Sequence, residues 1–236
     1  MLGDSWAALA DLVLPADCAG CRSPGGRLRY GVCESCVATV RRLRPHPVRP
    51  VPAPAGLPPC VALGPYDGVL RELLLAYKEK GRHQLARPLG RLLGEAVAAA
   101  TDPRAPLTLV PVPTTAAAAR ARHGDHLARL TRHAVRRLRF LGREVGVARP
   151  VGVRSRPDSA GLDSASRLAA ARTSYHSRRV GLDFGGIHDP RRCVIVVDDI
   201  VTTGATLATV NRLLTAAGTP AYAAVMIAAT RLRHQK

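Results

Sequence analysis

Residues 193–206 read Cys-Val-Ile-Val-Val-Asp-Asp-Ile-Val-Thr-Thr-Gly-Ala-Thr, and no other stretch of the chain restricts its fold as tightly. Val194 to Val197 are consecutively apolar, which predicts a strand buried on both faces, as in parallel sheets covered by helices. The strand runs into Asp198 and Asp199, and then Thr202-Thr203-Gly204-Ala205-Thr206 opens a helix. Ligands of open α/β sheets bind at the carboxyl ends of strands, so both acids stand at the expected mouth. Small residues let backbone N–H groups close around a phosphate, threonine hydroxyls add donors, and the helix start adds positive partial charge. Carboxylates beside such a cup are a mismatch unless the ligand brings hydroxyls or a metal between them. A sugar phosphate brings both. An ordinary strand-to-helix turn with an acidic cap would account for only part of the run.

Apolar periodicity along the other residues predicts strands at Cys60–Pro65, Leu107–Pro111, Arg192–Val197 and Ala221–Ile227. Helices are expected at Val69–Tyr77, Gln84–Ala100, His123–Leu141 and Ala205–Ala217. Apolar strands spaced by helices imply an α/β fold, a parallel sheet flanked by helices. Trp6, Leu9, Leu12 and Val13 lie at helical spacing and predict a short amphipathic helix. Residues 155–189 are polar and rich in Gly and Arg, as in a loop-rich insertion near a site. From Pro45 to Pro59 the prolines are too dense for a helix or a central strand, and an extended, semi-rigid linker is expected. The chain thus divides into a cysteine module over 1–44, a linker over 45–59 and the α/β domain over 60–236.

Four of the six cysteines form Cys18-Ala-Gly-Cys21 and Cys33-Glu-Ser-Cys36. Two such knuckles complete a tetrahedron of thiolates, the geometry zinc prefers, and four protein ligands make the metal structural. The alternative, a redox pair, usually places one CxxC at a helix start within a βαβ unit. Cys60 and Cys193 lie in apolar strands and read as small core residues. Asp4 and Asp11 stand where a secretory leader would be basic, and no stretch approaches bilayer length. A cytoplasmic protein without membrane insertion is therefore expected, and in that compartment thiols stay reduced.

The 35 Lys and Arg outnumber 17 Asp and Glu, for a net charge of +18 that favours anionic partners without choosing among them. Aromatics are only 3%, which argues against a base-stacking platform for single-stranded nucleic acid. A second strand ends in Leu109-Val110-Pro111-Val112-Pro113-Thr114. Its two prolines lack N–H groups, so backbone donors must come from Val112 and the residues after Pro113. Lys78 follows an apolar helix and is either a point charge aimed at phosphate or a C-terminal residue favoured by the helix dipole.

Residues 193–206 resemble the motif by which type I phosphoribosyltransferases bind 5-phosphoribosyl-1-pyrophosphate (PRPP), and residues 109–114 resemble their pyrophosphate loop. The resemblance implies that Asp198 and Asp199 hold the ribose hydroxyls at the catalytic centre. It further implies that Thr202, Thr203, Gly204, Ala205 and Thr206, led by Val197, bind the 5′-phosphate. Pro111, Val112, Pro113 and Thr114 would meet the pyrophosphate, often through Mg²⁺. A four-cysteine finger, a Pro-rich link and a PRPP-type domain, in that order, are similar to the ComF family, whose best-known members are competence proteins needed for DNA uptake. Pro65-Tyr66-Asp67-Gly68, Leu74 to Lys78 with Gly81, and Gly161-Leu162 with Arg167 extend the likeness. It implies Zn²⁺ on Cys18, Cys21, Cys33 and Cys36, a phosphate contact from Lys78, and single-stranded DNA or the DNA-uptake machinery as further partners. The chain departs where the family tends to show Arg-Gly-Phe-Asn-Gln, having Arg122-His123-Gly124-Asp125-His126, and where Ser159-Ala160 replace a Gln before the Gly-Leu pair.

Two functions follow. One is a phosphoribosyltransferase that displaces pyrophosphate from ribose C1, a reaction that needs no protein nucleophile and gains from Mg²⁺ and fixed donors. The other is a binding or adaptor protein that senses PRPP or handles DNA. On the helix from Asp125 to Gly142, Arg129, Arg132, Arg136, Arg139 and Arg143 form a basic stripe that suits a phosphate backbone or a plain solvated face.

Overall fold

The computed structural model describes residues 17–24, 27–122, 124–153, 175–177 and 189–230. The helix expected around Trp6, the Gly161–Leu162 pair and Arg167 lie outside these residues. The chain forms two compact units, Met1–Leu43 with Asp67–Leu85, and Arg44–Tyr66 with Ala86–Lys236.

The first unit holds the helices α1 (Glu34–Arg41) and α2 (Gly68–Glu79) and a 3₁₀ turn at His83–Leu85. Leu70, Leu73, Leu74 and Tyr77 form the buried face of α2. The helix α2 groups with the cysteine segment in this unit. A Cβ on Gly20 would come within 3.0 Å of Val69 Cγ1, and Arg22 pairs with Glu72 at 2.7 Å.

The second unit is built on a sheet whose strands, among the described residues, are β1 (His46–Val48), β2 (Cys60–Pro65), β3 (Leu107–Pro111), β4 (Val145–Val147), β7 (Cys193–Val201) and β8 (Ala223–Ala229). They run in the order β1-β2-β8-β7-β3-β4. Every pairing is parallel except that of β1, which joins β2 antiparallel. β1 arises inside the Pro-rich segment expected to link two parts, where Pro47 is tolerated because an edge strand can spare a donor. A separate antiparallel pair, β5 (Val151–Val153) with β6 (Tyr175–Ser177), brackets part of the segment expected to be loop. Among the described residues, no helix is long and apolar enough to cross a membrane.

The strand β7 runs further than its apolar core predicts. It carries Asp198 and Asp199 within the ladder and ends at Val201, because β8 continues beside it and pairs Ile200 with Ala228 and Val201 with Ala229. Among the described residues the helices of this unit are α3 (Ala86–Ala99), α4 (Ala116–Ala121), α5 (His126–Phe140) and α6 (Ala205–Ala216). Leu89, Leu93 and Val97 of α3 and Leu127, Leu130, Ala134 and Leu138 of α5 are buried. Arg143, grouped with the basic stripe from its spacing, is buried instead: its guanidinium bonds Thr101 Oγ1 and the carbonyls of Asp102 and Ala105.

Gly90 and Gly94 set the approach of α3 to α5. A Cβ on Gly90 would lie 2.5 Å from His133 Cβ and 2.6 Å from the Leu130 carbonyl oxygen, and neither can move cheaply. Gly90→Ala therefore outweighs the gain in helix propensity and is expected to cost about 1–2 kcal/mol net. Urea denaturation measures it; equal or greater stability of the variant would refute this account of the interface.

Candidate functional site

Parallel pairing aligns Leu107 with Cys193 and Pro111 with Val197, so the chains leaving β3 and β7 emerge from one edge of the sheet. After Pro111 the backbone stays extended for one more residue, and the Val112 N–H donates to the Val197 carbonyl at 3.0 Å. Sequence reasoning assigned that N–H to a ligand; the ladder uses it. Backbone donors of this loop begin after Pro113. Thr115 then caps α4, its hydroxyl accepting from the Ala118 N–H at 3.1 Å, while the Thr114 hydroxyl donates to Asp125 Oδ1 at 3.3 Å.

Past Val201 the chain exposes Thr202 and Thr203 and turns at Gly204, whose φ of +74° caps α6. Only glycine fits there, since a side chain would be strained by that φ and its Cβ would meet Leu57 Cδ1 at 2.9 Å. The first amides of α6 have no partner within the helix and carry the positive end of its dipole. Asp198 and residues 200–207 enclose a cavity of about 40 Å³. That is room for a few heavy atoms, such as one phosphate, given that a single water needs roughly 10–15 Å³.

The structure separates the two acids. Neighbouring residues of a strand point to opposite faces. Asp198 lines the cup, and its Oδ1 accepts the Asp199 N–H at 2.8 Å. Asp199 is only 5% exposed, and its Oδ2 lies 2.7 Å from His126 Nε2. Asp199 is not among the residues that line the cup.

Three residues that sequence reasoning passed over contribute here. His126 stands in the first turn of α5 and pairs with Asp199. Asp125 caps α5 by accepting the Ala128 N–H at 2.9 Å, receives the Thr114 hydroxyl, and lies 3.3 Å from Arg149. Both fall in the run Arg122-His123-Gly124-Asp125-His126, whose departure from the resembled motif was the available signal. Tyr175 of β6 hydrogen-bonds Thr206, and burial, with the Asp198 charge adding to it, pushes its phenol above the usual range. Lys78 is half-buried in the last turn of α2, in the first unit.

In that first unit the Sγ atoms of Cys18, Cys21, Cys33 and Cys36 all lie within 4.8 Å of one another. Cys21 and Cys33 are 3.7 Å apart, close to the edge of about 3.8 Å that a tetrahedron with 2.3 Å metal–sulfur bonds would have. The N–H groups of Gly20 and Cys33 both point at Cys18 Sγ, at 3.4 and 3.3 Å. The Ser35 hydroxyl, aided by the Cys36 N–H, holds the Cys33 thiol at about 6. This donor set fits a tetrahedral divalent ion. Gly20 is required by it, since a Cβ there would lie 2.9 Å from Cys36 Sγ.

No protein-family profile and no curated protein matches this sequence. Among solved structures, a hypoxanthine phosphoribosyltransferase of Trypanosoma cruzi superposes with a TM-score of 0.38 at 15% identity, covering 62% of this chain and 65% of that one. The present chain thus spans just under two thirds of that neighbour's length. A glutamic acid mutant at an invariant aspartic acid of HPRTs superposes with a TM-score of 0.36 at 14% identity, over 64% of this chain and 70% of the other.

Removing one member of the buried pair leaves the other without its partner. His126→Ala is expected to cost about 2–4 kcal/mol. A loss below about 1 kcal/mol in chemical denaturation would show that the Asp199 carboxylate does not depend on His126.

Proposed function

We propose that the cup at residues 198–207 binds the 5′-phosphate and ribose of PRPP, and that the protein is a ComF-like member of the phosphoribosyltransferase family. The observation that carries this reading is the register of β3 and β7. It opens a small-residue helix start with a carboxylate at its mouth beside a second loop on the same sheet edge. In this reading Asp198 accepts from a ribose hydroxyl, while the hydroxyls of Thr202, Thr203 and Thr206 and the first amides of α6 hold the phosphate. The loop at Pro111, Val112, Pro113 and Thr114 borders the pyrophosphate. Asp199 acts through His126 as a positioning residue, fixing the strand end against α5. Mg²⁺ bound with PRPP would neutralise the departing pyrophosphate. The Cys18, Cys21, Cys33 and Cys36 cluster holds a structural Zn²⁺.

One observation favours a second reading, a PRPP-binding adaptor without turnover: a single acid lines the cup where the resembled motif uses two. Release of pyrophosphate from PRPP across a panel of nitrogen acceptors separates the two readings. Release with any acceptor favours the enzyme; binding without release favours the adaptor.

PRPP with Mg²⁺ at about a hundred times its Kd is expected to stabilise the protein by about 2.7 kcal/mol in a thermal shift assay. Asp198→Asn should abolish that shift while leaving metal content unchanged. An undiminished shift would end the assignment of the ribose site. Elemental analysis is expected to find one zinc per chain. Cys36→Ser should remove it and lower the melting temperature, whereas purified protein free of zinc but fully folded would refute the structural metal.

A further inference from the structure

Away from the cup, α3 and α5 enclose a second cavity, of about 450 Å³, lined by Arg87, Arg91, His133, Arg136, Arg137 and Phe140. Helical spacing places them: Arg87 and Arg91 are one turn apart on α3, and His133, Arg136, Arg137 and Phe140 follow successive turns of α5. The close approach at Gly90 and Gly94 then brings the cations of both helices around one groove. Arg137 pairs with Glu95 at 3.0 Å. Burial, followed by the charges of Arg136, Arg132 and Arg87, holds the His133 imidazole below its usual proton affinity.

Two details point to more than a solvated basic face. Phe140 is 80% exposed at the rim, and the Arg137 guanidinium sits over its ring, 5.4 Å from the centroid. Arg137 Nε is also buried with no hydrogen-bond partner among the described residues. An aromatic ring held open to solvent by an arginine, beside converging guanidinium groups, offers stacking and anion binding together.

We propose that this groove binds a nucleoside di- or triphosphate, with the base on Phe140 and the phosphates on Arg87, Arg91 and Arg136. The cavity falls within the range of about 300–1,000 Å³ typical of small-ligand sites. A single-stranded nucleic acid usually meets a series of stacking platforms. Among the described residues lining this groove Phe140 is the only aromatic, and one ring suits one base. The site is separate from the cup and does not depend on the PRPP reading.

Calorimetric titration of the full chain with ATP, GTP, inorganic tripolyphosphate and an oligothymidylate tests the proposal. Arg91 and Arg136 are exposed, so Arg91→Glu with Arg136→Glu should leave the melting temperature unchanged while weakening ATP and tripolyphosphate about tenfold or more. Phe140→Ala should weaken ATP and GTP about five- to tenfold and leave tripolyphosphate unaffected, consistent with the loss of one stacked base. Asp198→Asn should change none of these affinities. Absence of ATP binding, or ATP binding indifferent to the arginine pair, would overturn the proposal. So would an unchanged ratio of ATP to tripolyphosphate affinity in Phe140→Ala, or oligothymidylate binding lost in the arginine variant while ATP binding persists.

Discussion

The in-register parallel pairing of β3 with β7 is the constraint on which the rest of the second unit depends. It sets Pro111 level with Val197, so that the chain turns away from both strands at one sheet edge. Because β7 is paired with β3 as far as Val197 and with β8 as far as Val201, the turn at Gly204 begins from a fixed point. The Pro-rich segment then closes on that turn, with Leu57 Cδ1 and Pro50 Cγ at 2.9 and 3.3 Å from where a Cβ on Gly204 would be. Stiff proline-bearing backbone is a good brace for a loop that must keep its amides oriented, since little chain entropy remains to be lost there.

The helix α5 links this edge to the rest of the unit. Its N-terminal end gives Asp125 to Thr114 and His126 to Asp199, so that both loops are anchored to one helix. Its C-terminal half presents His133, Arg136, Arg137 and Phe140 to the groove beside α3. The apolar stripe between, through Leu130, Ala134 and Leu138, is fully covered. One amphipathic helix thus serves a buried polar contact, a core and a charged surface at successive positions.

Much of this was legible in the sequence where one physical signal dominated. Cys60–Pro65 and Leu107–Pro111 are strands at the expected bounds, since short apolar runs closed by prolines leave few alternatives. The four cysteines come together as their knuckle spacing requires. α4 escaped notice because Ala116 to Ala119 carry no apolar stripe, although alanine's helix propensity and the Thr115 cap suffice to form it. β4, β5 and β6 are three residues each, too short for periodicity to register. The extension of β7 depended on its neighbour β8, which local sequence does not encode. The convergence of Arg87 and Arg91 with Arg136 and Arg137 required the register of two helices, and only Gly90 and Gly94 hinted at it.

The separation of Asp198 from Asp199 follows from strand alternation once the ladder is known to continue past them. A carboxylate at the second position must enter the layer of packed helices, where a charge is tolerated only with a partner and hydrogen bonds. His126 meets that demand from 73 residues away in sequence, at a position where the resembled family tends to carry glutamine. Its imidazole gives the buried carboxylate a hydrogen-bond partner at 2.7 Å. The pairing also confines one of the two negative charges to the interior. The cup is left with one carboxylate at its mouth, beside the first residues of α6.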